Sequence, residues 1–179
     1  LDATPADSPV DIADLGTGSG AIALALASER PLARIVATDS SRRALAQASD
    51  NAMRLNLEVT FQQGDWLVPL QGQVFDIIVS NPPYVREGDP ALECSASLFE
   101  PREALFSGPD GLSAIRQVCA GASDCLKPSG MLALEHGHDQ RPALDELLLA
   151  AGLGSIARFN DYAGQARVST ARRVVGNSH

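Results

Sequence analysis

Asn81-Pro82-Pro83-Tyr84 is the stretch of this sequence best equipped for chemistry. Two successive prolines fix the backbone and remove two N–H donors, which leaves carbonyl acceptors exposed. The asparagine side chain adds an amide oxygen beside them. Together the Asn81 side-chain oxygen and the Pro82 carbonyl can accept both hydrogens of a planar NH2 group. That grip aims the nitrogen lone pair along one line, and Tyr84 can stack on the flat group and define its plane. The arrangement suits direct displacement at a methyl group by an amide or amino nitrogen. An amide nitrogen is a weak nucleophile, so alignment must carry much of the rate; well-oriented groups supply roughly 7–11 kcal/mol. No histidine or cysteine nucleophile is required. A proline turn closing a strand would explain Pro82-Pro83, but not the whole tetrapeptide after an apolar strand. Asn81, Pro82 and Tyr84 are the candidate catalytic residues, and with Pro83 they form the candidate substrate grip.

A second constellation is Asp14-Leu15-Gly16-Thr17-Gly18-Ser19-Gly20. Glycines let a backbone turn tightly and approach a ligand with no side chain in the way. A helix that follows presents N–H groups toward an anion. Gly16, Thr17, Gly18, Ser19 and Gly20 could cradle a dinucleotide pyrophosphate or the amino-acid end of S-adenosylmethionine. Gly16, Gly18 and Ala21 also satisfy the G-x-G-x-x-A dinucleotide pattern, so the glycines leave both open. Asp39, after the next strand, could accept from ribose hydroxyls in either cofactor. Its plainer alternative is a helix N-cap. Asp65 and Trp66 could accept from an adenine amino group and cover the adenine face. The alternative there is a surface turn with a core tryptophan.

The elements that must position these residues alternate between short β-branched runs and longer helical stretches. Strands are expected at Val10–Leu15, Arg34–Thr38, Leu57–Gln62, Val74–Ser80 and Met131–Glu135, with two more at Ser155–Phe159 and Arg167–Val175. Helices are expected at Ser19–Glu29, stopped by Pro31, and at Ser41–Leu55, where Ala44, Leu45, Ala48, Ala52 and Leu55 share one face. Two more fall at Gly111–Leu126 and Pro142–Ala151. Residues 85–109 read as a long loop, and long loops inside compact domains usually carry function. This order predicts an α/β fold, a mostly parallel sheet with helices on both faces, as one domain over residues 1–179. Ligands in such sheets bind at the carboxyl ends of the strands, where both constellations fall.

With 45% hydrophobic and 20% charged residues, the composition is that of an ordinary globular chain. The longest apolar block, Ala21 to Ala27, is far short of a membrane span. Nothing resembles a signal peptide. A net charge of −8 repels a phosphate backbone, so a broad nucleic-acid surface is not expected. Arg167, Arg172 and Arg173 read as a solvated edge strand. Cys94, Cys119 and Cys125 are irregularly spaced, as suits reduced packing thiols in a cytoplasmic protein. His136 and His138 lack a third nearby ligand, so no metal site is expected. The chain begins at Leu1 rather than Met, as a trimmed chain would.

Asp14 to Leu26, Val79 to Tyr84, Phe99-Glu100-Pro101, Leu134-Glu135-His136-Gly137 and Asp161-Tyr162 together resemble the HemK/PrmC family, the peptide chain release factor N5-glutamine methyltransferases. Asn-Pro-Pro-Tyr alone is shared with adenine-N6 and guanine-N2 methyltransferases; the run Phe99-Glu100-Pro101-Arg102-Glu103-Ala104-Leu105 makes the resemblance specific. It implies a class I methyltransferase sheet of seven strands with the last antiparallel. It also implies S-adenosylmethionine at Gly16 to Gly20, Asp39, Trp66 and Asn81. It implies that Asn81 to Tyr84 grip the glutamine of the Gly-Gly-Gln motif in bacterial class I release factors, the expected protein partners. Glu100 and Glu135 match family positions without an assigned step. Members also carry an N-terminal helical domain that helps bind the release factor, and only about ten residues precede the first expected strand here. Three other readings stay open: an amino methyltransferase acting on adenine or guanine in nucleic acid, a nicotinamide-dependent oxidoreductase, and a non-catalytic scaffold.

Overall fold

The apolar runs of the sequence become the strands of one sheet in a computed structural model that describes residues 8–88 and 104–175. In chain order these are β1 (Asp11–Leu15), α1 (Ala21–Glu29), β2 (Arg34–Asp39), α2 (Arg42–Leu55), β3 (Thr60–Gln63), a 3-10 turn (Val68–Leu70) and β4 (Phe75–Ser80). Then follow α3 (Ser113–Cys125), β5 (Leu126–Glu135), α4 (Arg141–Ala150), β6 (Leu153–Asn160) and β7 (Ala166–Arg173). The strand order is β3-β2-β1-β4-β5-β7-β6. Pairing is parallel from β3 to β5, and β7 runs antiparallel to both β5 and β6. The α/β class and the antiparallel last strand are as expected. Cys94, Glu100 and the rest of Phe99 to Glu103 lie outside the described residues.

Side chains alternate across a strand, and β1 shows what that does to the core. Ile12 joins Ala23 and Leu26 of α1 on one face, whereas Ala13 and Leu15 join Ile115 and Val118 of α3 and Leu144 and Leu148 of α4 on the other. β4 needs apolar residues on both faces because it lies at the centre of the sheet; Ile77 serves the first layer and Phe75 and Ile78 the second.

Several expectations shift. The helix expected from Ser19 begins at Ala21, because Gly18 and Gly20 adopt positive φ and keep the chain in the turn. β3 is shorter than expected and starts at Thr60. β5 begins early, at Leu126, and then bulges: Phe75 pairs with Leu126 but Ile77 with Met131, around Ser129 at φ 61°. In α2, Ala48 and Ala52 are buried, but Leu55 is 60% exposed. It ends the helix at the rim of an open groove between α1 and α2.

The three arginines correct a larger expectation. β7 is an interior strand between β5 and β6, and β6 is the edge. Arg172 donates to the Ser129 carbonyl, Arg173 to the Leu126 carbonyl and Arg167 to Asp161. Each cation is spent locally rather than on a basic patch. Two strands in sequence had suggested that the last lies outermost; instead the chain crosses to the edge first and returns between its neighbours.

Candidate active site

Register puts the two constellations side by side. Leu15, the last residue of β1, pairs with Thr38 of β2 and Ser80 of β4, and Ser80 pairs with Leu134 of β5. The next residue on each strand is therefore Gly16, Asp39, Asn81 and Glu135, one row along the carboxyl edge. From β1 the chain winds outward to β2 and β3, then crosses back to β4 on the other side. Gly16 and Asn81 thus flank the point where winding reverses, where open α/β sheets bind ligands. The Ser80 hydroxyl locks the pair, donating to the Leu15 carbonyl at 2.7 Å, fully buried.

Asp14, only 1% exposed, organises the glycine turn from inside. Its Oδ2 accepts from the Thr17 hydroxyl at 2.6 Å and from the Ala23 N–H at 3.1 Å. Gly20 precedes α1 without a side chain to cap it, so Asp14 supplies a cap from the strand instead. Asp39 plays a matching part: Oδ2 accepts from the Gly18 N–H at 2.9 Å and Oδ1 from the Ser41 N–H at 2.8 Å. Asp39 is not the N-cap of α2. That cap is Ser41, whose Oγ accepts from the Ala44 N–H. Burial, partly offset by the bonds from Thr17 and Ala23 and aided by the nearby Asp39 charge, pushes the Asp14 carboxyl up to about 6.

The turn therefore differs from a simple anion cradle. The Gly18 and Ala23 N–H groups are already donated to carboxylates, and two acids stand where a pyrophosphate would bring two more negative charges. That disfavours a dinucleotide and suits a ligand end carrying positive charge. Residues present fit S-adenosylmethionine, which carries a sulfonium and an ammonium against a single carboxylate. Asp14 Oδ1 is buried with no hydrogen-bond partner. A Cβ added at Gly18, φ 57°, would meet nothing within 4 Å, so the turn opens on free space there.

The Trp66 ring lies against the turn: a Cβ on Gly16 would come within 3.0 Å of its Cζ3. Trp66 has φ 45°, its carbonyl accepts from the Thr38 hydroxyl, and its ring packs on the main core cluster while staying half-buried. Asp65 is exposed beside it. Asn81 is exposed, Pro82 is buried, and Pro83 and Tyr84 are half-buried.

A family model for the methyltransferase small domain matches residues 1–108. The chain belongs to that family. The chain is 51% identical over 162 residues to the release factor glutamine methyltransferase of Xylella fastidiosa strain 9a5c, covering 90% of this chain and 59% of that protein. It is 41% identical over 167 residues to the protein of the same name from Escherichia coli K12, covering 93% of this chain and 60% of that one. The chain thus spans about three fifths of the length of these curated relatives. Among solved structures, a methyltransferase from Pyrococcus furiosus matches with a TM-score of 0.71 at 19% identity, over 96% of this chain and 78% of that one, which establishes likeness of fold.

Other residues around the candidate site carry little sequence signal. Gln140 is 4% exposed, and its Nε2 donates to the Tyr84 carbonyl at 2.9 Å while its Oε1 accepts from the Gly137 N–H. A glutamine in a polar turn looks like any surface residue until the turn is packed. Asp14 carried a signal, an acid ending an apolar strand, but it was read only as part of the turn. His136 is fully buried, with Nδ1 2.8 Å from the Gly137 carbonyl and Nε2 2.9 Å from the Ser169 hydroxyl. A carbonyl only accepts, so Nδ1 carries a proton and donates to Gly137. Among the described residues, no group of three His, Cys, Asp or Glu could hold a metal. Cys119 and Cys125 pack in the core, as expected, and burial pushes the Cys119 thiol up to about 12.

Proposed function

We propose that this chain is the catalytic part of an enzyme that transfers a methyl group from S-adenosylmethionine to the side-chain amide nitrogen of the glutamine in the Gly-Gly-Gln motif of bacterial peptide chain release factors. The observation that carries the chemistry is the register that sets Asn81 beside Gly16 at the sheet reversal. Support for the substrate comes from the relatives at 41–51% identity, all named release factor glutamine methyltransferase.

When bound, the cofactor supplies an electrophilic methyl on a sulfonium. Gly16 to Gly20 would receive its amino-acid end, with the Asp14 carboxylate beneath favouring positive charge. Asp39 would accept from the ribose, and Asp65 and Trp66 would serve the adenine. On the substrate side, the Asn81 side-chain oxygen and the Pro82 carbonyl would accept the two amide hydrogens. Pro83 holds that carbonyl in place, since its ring fixes the backbone. Tyr84 would lie on the amide plane and shield it from water. Once the nitrogen is methylated, the surplus proton leaves a strongly acidic cation, so water can take it and no dedicated base is needed.

The test is tritium transfer from labelled cofactor into a release factor, against RNA and DNA as competitors. Label in the release factor is expected; label only in nucleic acid would sink the assignment. Calorimetric titration with S-adenosylhomocysteine and with NAD tests the cofactor separately, and binding of NAD alone would overturn it.

A further inference from the structure

The turn from Glu135 to Gln140, between β5 and α4, grips the substrate segment from the side opposite the glycine turn. The Tyr84 hydroxyl donates to Glu135 Oε1 at 3.1 Å. The Tyr84 carbonyl accepts from Gln140 Nε2 at 2.9 Å. Two residues on, Arg86 pairs with Asp139 at 2.5 Å. Tyr84 is therefore held at the far end of its ring and at its main chain by residues more than fifty positions away.

These ties differ in weight. The Arg86–Asp139 pair is half-exposed on both sides and contributes little. Gln140 is buried and engages three segments, since its Nε2 also lies 3.3 Å from the Asp110 carbonyl. Space around it is exhausted: a Cβ on Gly111 would come within 2.4 Å of the Tyr84 oxygen and 2.6 Å of Gln140 Nε2, and one on Gly137 within 3.0 Å of Gln140 Oε1. Gln140 accordingly fixes where the Tyr84 backbone runs. The Tyr84 ring packs on the main core cluster. Glu135 adds a directional bond at the hydroxyl that fixes the ring's far end, and a carboxylate is a strong acceptor.

We propose that Glu135 is a positioning residue for methyl transfer, acting through the Tyr84 ring, with Gln140 anchoring the Tyr84 main chain. The proposal rests on the reading of Asn81 to Tyr84 as the amide grip. Glu135 sets the plane against which the acceptor group lies, and so the direction of its lone pair. It touches neither the glycine turn nor Asp39, so its loss leaves cofactor affinity alone and lowers kcat.

The experiment compares wild type, Glu135→Leu, Glu135→Gln, Tyr84→Phe and the double variant Glu135→Leu/Tyr84→Phe. Three quantities are read: kcat and KM on a Gly-Gly-Gln protein, affinity for S-adenosylhomocysteine, and the Tyr84 ring-carbon resonance in tyrosine-labelled protein. The sequence has two tyrosines, so Tyr84→Phe assigns the signal. Misplacement of this kind costs about 10- to 100-fold in kcat. Glu135→Leu should show that loss with cofactor affinity within about twofold. Glu135→Gln, which keeps a carbonyl acceptor, should recover most of it, and the double variant should be no worse than the poorer single one. Wild-type kcat in Glu135→Leu, or fully additive losses in the double variant, would overturn the proposal. If wild type methylates no Gly-Gly-Gln protein, the release-factor reading fails by itself. The resonance still decides on Glu135: a shift in Glu135→Leu reversed in Glu135→Gln supports the role, and an unmoved signal overturns it.

Discussion

A carboxyl group at 1% exposure must either find compensation or stay neutral, and Asp14 does some of both. In an unfolded chain it ionises near 3.8, and in the folded protein near 6. Between those values the folded state holds the extra proton, so stability falls as pH rises across the window and stays lower above it. The full difference amounts to roughly 3 kcal/mol. Asp14→Asn keeps an oxygen for Thr17 and Ala23 and removes the charge. Urea unfolding at pH 4 and pH 7.5 should then show the variant gaining on wild type by up to about 3 kcal/mol between the two; parallel pH profiles would refute the shifted ionisation. On the proposed reading, a cofactor ammonium beside the turn would draw Asp14 into its charged form. Wild-type affinity for S-adenosylmethionine should weaken as pH falls through about 6, and Asp14→Asn should lose that dependence. Asn81 stands at the other extreme. It is exposed, so Asn81→Ala should leave the melting temperature nearly unchanged while cutting turnover about 100-fold. Near-normal turnover would remove the amide-gripping role.

Between residue and molecule stand the elements, and the start of α3 is where one of them meets the site. Gly111 has φ 72° and no room for a Cβ, the nearest atom being the Tyr84 carbonyl oxygen at 2.4 Å. Backbone cannot swing aside as a flexible side chain can. Gly111→Ala should therefore push the Tyr84 segment, costing about 1–3 kcal/mol of stability and lowering kcat. A variant with wild-type kcat and melting temperature would show that the contact gives way. The same junction marks the limit of what sequence discloses. α2 was legible because five small or apolar residues repeat at 3.6 spacing, whereas its cap, Ser41, was not: in sequence the candidate cap was Asp39. β4 was legible because six residues in a row suit a strand buried on both faces. The place of β7 was not, since an alternating strand reads the same at an edge or inside, and only hydrogen bonding to β5 and β6 decides. Nor was Gln140, whose importance lies in three partners brought together by three different loops.

Across the whole molecule the two ends of the sheet are built differently. At the amino ends, Lys127 bridges Asp11 and Asp76 at 2.7 Å each, and Arg34 joins Asp11 at 2.6 Å. That network ties β1, β2, β4 and β5 together far from the chemistry, while the carboxyl edge is left to glycines and acids for ligands. The layer that joins the ends is α3 on the sheet, and its two cysteines report on it. Cys119 is 2% exposed and its thiol is raised by burial to about 12; Cys125, 7% exposed, is raised chiefly by burial and then by the nearby Asp124 charge. A thiol reacts as its thiolate, so both should be inert to a disulfide reagent at pH 8 while α3 stays seated. A Cys94→Ser variant leaves these two alone to be counted. In it, labelling should be negligible in native buffer, and both thiols should become reactive together along the urea curve traced by circular dichroism. Both sit on one helix against one core, so neither can open without the other if α3 leaves only on global unfolding. Labelling of one thiol well below the unfolding midpoint would show instead that α3 lifts locally, carrying with it the Gly111 end that abuts Tyr84.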